Sequence, residues 1–240
     1  MPRHNGQDAA PVPDDLTTLA QPEFVLVAWA AGLALVSGLV ALARLVGPGF
    51  TWMAGGVAAL IGIVGLFAND PWWARVGFVL LGLGLVWARN RQLSGILLIG
   101  AGVALLIQTS QEGGWVPALS AALALGGVTG EMALAHWYLV DPRLPRWPLK
   151  TLAVVGILGL TADAAVLAVA GLPSGGATIA YWVLMATSAV LMGGVFGSLR
   201  YPAYAGVMAA TGLSYLAVLT TLGGVFLGRV LVAGLAPFGS

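Results

Sequence analysis

Three ionisable side chains sit inside long apolar runs of this chain: Glu131, His136 and Asp163. The first two share the stretch Gly130-Glu131-Met132-Ala133-Leu134-Ala135-His136-Trp137-Tyr138-Leu139-Val140. Glu131 lies nine residues before the end of that run, ~14 Å at the helical rise of 1.5 Å per residue. That depth is close to the middle of a bilayer, where an ionised carboxylate costs ~3 kcal/mol or more. The group is therefore expected to be protonated, paired or turned toward a wet cavity.

His136 lies about one helical turn, or ~6 Å, inside the same boundary. Trp137 and Tyr138 follow it. An imidazole beside two amphipathic rings can contact a quinone, join a proton relay or ligate a haem. The competing role is an interfacial histidine bonded to a carbonyl or a headgroup. Arg200, next to Tyr201 and Pro202, can hold a quinone carbonyl or a lipid phosphate, although its ordinary role is a charged anchor at the membrane surface. The chain has two histidines, His4 and His136, so a bis-histidine haem held within its membrane part is excluded. Met185, Met192 or a histidine from another subunit would have to supply the second ligand.

Asp163 falls fifteen residues beyond Pro148, ~22 Å from the same side. His136, Glu131 and Asp163 thus stand at three rising depths, the order a proton path would need. Residues five apart on a helix are separated by roughly 140°, so Glu131 and His136 point to different faces. That angle favours structural roles, with the carboxyl groups bonded to Ser or Thr of neighbouring helices.

Two further patterns keep one helical face each: Tyr181, Met185, Ser188, Met192, and Tyr204, Met208, Thr211, Tyr215. Such stripes line pockets for flat apolar ligands or, more often, form helix–helix contacts. Three small-xxx-small pairs, Gly126 with Gly130, Gly193 with Gly197 and Gly224 with Gly228, make grooves for a neighbouring helix or a second subunit.

Other chemistries are set aside. Cysteine is absent, which removes disulfides, thiolate metal sites and cysteine nucleophiles. No glycine loop carries a phosphate-binding lysine, and no serine is spaced to pair with the membrane histidine as a nucleophile. The one lysine, Lys150, lies at a span's edge rather than inside the membrane where a Schiff base would sit, and no span holds a regular arginine ladder. The net charge of +1 shows no basic patch for nucleic acid.

These residues must be positioned by membrane helices. The 240 residues are 59% hydrophobic and 8% charged, against roughly 25% charged in soluble domains; only a lipid surroundings lets the outside be as apolar as the inside. The expected fold is an all-α, polytopic integral membrane bundle of about eight helices, near 24–43, 50–68, 72–88, 93–110, 116–140, 148–172, 177–199 and 203–228. Breaks fall at Gly47-Pro48-Gly49, Asn69-Asp70-Pro71, Arg89 to Gln92, Gln111 to Gly114, Asp141 to Pro148, Leu172 to Gly176 and Arg200 to Pro202. Merging the third and fourth spans would bury Arg89 and Arg91, which favours eight over seven. Residues 1–21 read as a disordered polar lead with no secretory signal pattern, residues 22–234 as one transmembrane domain, and 235–240 as a short tail.

Loops after the odd-numbered spans hold Arg44, Arg89, Arg91, Arg143, Arg146, Lys150 and Arg200; the other side holds Arg3, Arg75 and Arg229. By the positive-inside rule both termini are extracytoplasmic, in a cell inner membrane. Trp72, Trp73, Trp115, Trp137 and Trp147 fall near the interfaces.

Three functions fit. The first is a membrane subunit of a respiratory or photosynthetic electron-transfer assembly, bound to partner subunits and contacting quinone or haem near His136, Trp137, Tyr138 and Arg200. The second is a small secondary transporter with Glu131 and Asp163 as coupling residues, Gly126-Gly127 supplying a helix break. The third is an intramembrane enzyme acting on lipid or isoprenoid.

Overall fold

The computed structural model describes residues 22–67, 70–141 and 144–234. The polar lead 1–21, the tail 235–240, Arg3, His4 and Arg143 lie outside the described residues. Among those described there are eight α-helices: α1 Pro22–Leu42, α2 Pro48–Gly62 (continued by a 3₁₀ turn Ile63–Phe67), α3 Trp72–Val86, α4 Arg91–Gly113, α5 Trp115–Val140, α6 Trp147–Ala170, α7 Gly176–Ser198 and α8 Tyr204–Val232. Seven of these elements are long and apolar enough to cross a membrane. The exception, α3, has 15 residues, ~22 Å of helix against a hydrocarbon core of ~30 Å.

The starts and stops follow local chemistry. Pro48 and Pro148 occupy first-turn positions, where a missing N–H costs nothing. Asn90 caps α4 by accepting from the Leu93 N–H at 3.2 Å, as N-cap side chains do. Gly114, at φ 83°, turns the chain directly from α4 into α5. The end of α1 is unusual. Arg44 N–H donates to Ala41 and Leu45 N–H to Val40, the paired bonds of a Schellman cap. The residue that must go left-handed there is Arg44, at φ 54°, where glycine would avoid a cost of roughly 1–2 kcal/mol.

Short connections make sequence neighbours antiparallel, and the helices close into two similar rings. α1, α2, α3 and α4 pack in order, with α4 returning to α1; α5, α6, α7 and α8 do the same, with α8 returning to α5. The rings meet where α1 lies along α5. Here Gly32 faces Gly126: a Cβ on Gly32 would stand 2.1 Å from the Ala122 carbonyl oxygen, and one on Gly126 would stand 2.5 Å from the Gly32 Cα. Only glycine lets the backbones approach this closely, the usual reason for small residues in membrane interfaces.

The Gly126–Gly130 groove is thus filled by α1, through Gly32 and Val36, and the Gly224–Gly228 groove by Met185, Tyr181 and Leu167. Gly193 faces open space, as does Gly197. Two expectations are corrected. α5 runs unbroken through Gly126 and Gly127; the pair serves close packing, Gly127 against the Gly156 backbone, and is no helix break. α8 runs past 228 to Val232, which places Arg229 inside a helix rather than in an outer loop.

Candidate functional site

The buried polar groups sort into separate clusters. The first joins α5, α6 and α8. Asp163, on α6, is paired with Arg229, on α8, and neither side chain is exposed. The guanidinium engages both carboxylate oxygens, Nη1 reaching Oδ2 at 3.1 Å and Nη2 bonding Oδ1. Ser120 of α5 donates to Oδ1 at 2.7 Å, and Arg229 Nη2 also donates to the Pro117 carbonyl at 3.2 Å. Phe24 of α1 lies under the guanidinium, 5.7 Å from ring centroid to Cζ. A two-pronged charge pair with extra hydrogen bonds is the arrangement that offsets the desolvation of two ions. The pair and its hydrogen bonds tie three helices of the second ring together, and the Phe24 ring is the contact from the first.

Glu131 forms the second cluster. It is fully buried, and Ser214 of α8 donates to its Oε2 while also bonding the Ala210 carbonyl at 2.8 Å. Its Oε1 has no hydrogen-bond partner among the described residues. Two residues before Glu131, Trp29 Nε1 donates to Thr129 at 2.8 Å, a further bond between α1 and α5. Glu131 and Asp163 therefore have different partners, and no hydrogen bond among the described residues links either to His136.

His136 faces the opposite way. It is exposed on the outer surface of α5, where its Nδ1 lies 3.0 Å from the Tyr215 hydroxyl of α8. The rings meet edge to face at 6.4 Å. Steps of 100° per residue explain why its neighbours go elsewhere. Trp137 packs edge to face on Phe50 at 6.2 Å and covers Gly49. Tyr138 is buried at 2% exposure. Arg200 lies over the Phe196 ring at 5.1 Å, at the end of α7. His136, Trp137, Tyr138 and Arg200 thus do not converge on one pocket. Met185 and Met192 are buried within the second ring, away from the exposed His136 surface, so the chain does not assemble a His–Met haem site from them.

The two stripes differ. Tyr181, Met185, Ser188 and Met192 are all buried, and Ser188 donates to Thr220 of α8 at 2.7 Å. In the other, Thr211 is buried while Tyr204, Met208 and Tyr215 are exposed. No group of three or more His, Asp or Glu is arranged to hold a metal among the described residues.

Sequence reasoning missed Arg229, Ser120 and Ser214, together with the pairing of Tyr215 and His136. For Arg229 a signal existed. Its flanks, Phe226-Leu227-Gly228 and Val230-Leu231-Val232, continue the apolar run on both sides. A lone arginine so placed needs an intramembrane acid, and Glu131 and Asp163 were the two on offer. Compared with known protein families, curated proteins and solved structures, the chain matches none.

Proposed function

We propose that this chain is a non-catalytic integral membrane subunit of a larger electron-transfer assembly, and that its His136–Tyr215 pair receives a quinone headgroup. In this reading α3 also crosses the bilayer, giving eight spans, with the arginine-rich ends of the helices cytoplasmic and both termini outside. The observation that carries it is the exposure of an imidazole and a phenol on an apolar helical surface, about one turn inside the boundary. Polar groups facing lipid are costly and call for a partner. With Tyr215 donating to Nδ1, the imidazole proton sits on Nε2, which is free to donate to a quinone carbonyl. The apolar surroundings suit a lipophilic ligand arriving from the bilayer.

The transporter reading has less support. It drew on a broken α5, which is continuous, and on Asp163 as a coupling residue, which Arg229 occupies. The test is purification in mild detergent. Co-purifying subunits with haem or iron–sulfur absorbance, and extractable quinone that falls in His136→Ala, are expected. A monodisperse isolated protein that moves a solute and holds no quinone overturns the proposal.

A further inference from the structure

The end of the molecule opposite the Asp163–Arg229 pair holds an unneutralised cluster of positive charge. Arg44, Arg89 and Arg91, with Asn90 and Gln92, line a basin of about 500 Å³ at the end of α1 and the start of α4. Arg91 Nη1 donates to the Arg44 carbonyl at 3.3 Å, which holds the two arginine-bearing segments together. Among the described residues the one salt bridge is Arg229–Asp163, so none of the three guanidiniums has a carboxylate partner there. The basin also receives the N-terminus of α4, whose dipole adds positive potential.

Three guanidiniums repel one another, and one of them, Arg44, stands at the left-handed residue of the cap that ends α1 (φ 54°), where glycine would suit the backbone better. An apolar cleft of about 440 Å³ bounded by α1, α4, α5 and α6 begins beside the same end of α1. Ala43 and Leu45, on either side of Arg44, belong to the cleft lining, as does Val40, the C-cap partner of Leu45. Apart from Thr151 and the Trp147 indole, that lining is apolar. The volume lies in the range of ligand pockets, roughly 300–1,000 Å³.

We propose that Arg44, Arg89 and Arg91 hold the phosphate of an anionic glycerophospholipid, one acyl chain of which lies in the cleft between α1 and α6. Charge selects the headgroup, since guanidinium forks fit phosphate oxygens. The apolar cleft that starts at Ala43 and Leu45, on either side of Arg44, selects a lipid over a free anion. This site is independent of the quinone contact at His136.

The test uses full-length protein in nanodiscs of phosphatidylcholine, with and without phosphatidylglycerol, read by native mass spectrometry of retained lipid and by thermal unfolding. Phosphatidylglycerol is expected to be retained and to raise the unfolding temperature; inorganic phosphate at the same concentration is expected to do neither. Each of Arg44→Gln, Arg89→Gln and Arg91→Gln should weaken retention roughly fivefold, the contribution of one basic residue near an anionic surface. Arg44→Gly is the decisive variant. Glycine relieves the left-handed backbone, so stability without anionic lipid should hold or rise while retention falls about fivefold. Equal protection by inorganic phosphate, or unchanged retention in Arg44→Gly and in the triple glutamine variant, overturns the proposal.

Discussion

Neutralising either member of the Asp163–Arg229 pair should destabilise the bundle far more than neutralising both. In Asp163→Asn the guanidinium keeps the Pro117 carbonyl (3.2 Å) and the Phe24 ring, yet a positive charge is left buried without its counter-ion. In Arg229→Gln the carboxylate keeps the Ser120 hydroxyl (2.7 Å) and loses both of its charged bonds. Breaking a buried pair from one side costs roughly 3–5 kcal/mol. Against a total stability of about 5–15 kcal/mol, that is a large fraction. In the double variant no net charge is buried, and Asn and Gln can still share a hydrogen bond. Its loss should be smaller than that of either single variant, and the coupling should reach or exceed the upper end of the ~0.5–3 kcal/mol seen for residues in contact. Equilibrium unfolding of the four proteins in mixed micelles, followed by tryptophan fluorescence, gives the cycle. Additivity within ~0.5 kcal/mol, or a double variant worse than both singles, would refute the claim that this buried ion pair holds α6 against α8.

Four other outcomes are expected. Gly32→Ala should cost about 1–3 kcal/mol or more in the same unfolding assay, because its Cβ would meet backbone at 2.1 Å, whereas Gly193→Ala, facing open space, should stay within ~0.5 kcal/mol. Glu131→Gln keeps an acceptor for Ser214 and should change stability by less than ~1 kcal/mol; a tenfold fall in turnover of the parent assembly at unchanged stability would instead place Glu131 in a proton path. Tyr215→Phe frees His136 Nδ1 and should lower quinone retention several-fold with little effect on unfolding, since both groups are exposed. Arg146→Ala removes a guanidinium bonded to the Tyr201, Pro202 and Ala203 carbonyls, and faster hydrogen exchange or proteolysis at the turn between α7 and α8 should report it.

The composition and the spacing of apolar runs were sufficient to read a helical membrane protein, because lipid leaves few other structures that satisfy the backbone. The positions of α1 and α4 to α7 were legible for the same reason, each bounded by Gly, Pro or charge. Glu131 and Asp163 stood out as polar exceptions because charge is rare and costly in such runs. Their partners were not legible. Asp163 with Arg229, Glu131 with Ser214, and His136 with Tyr215 join residues 66, 83 and 79 positions apart, and helical periodicity says only which residues share a face, never which face meets which. Arg229 shows the cost of that limit. As a sequence feature it was a boundary charge counted among the outer loops; the tertiary structure makes it a buried counter-ion, because α8 continues one turn further and α6 presents an acid opposite. The same holds for the glycines. Their number signals close packing, but only the fold decides that Gly32 and Gly126 touch while Gly193 faces open space, since a missing Cβ matters only where another backbone arrives.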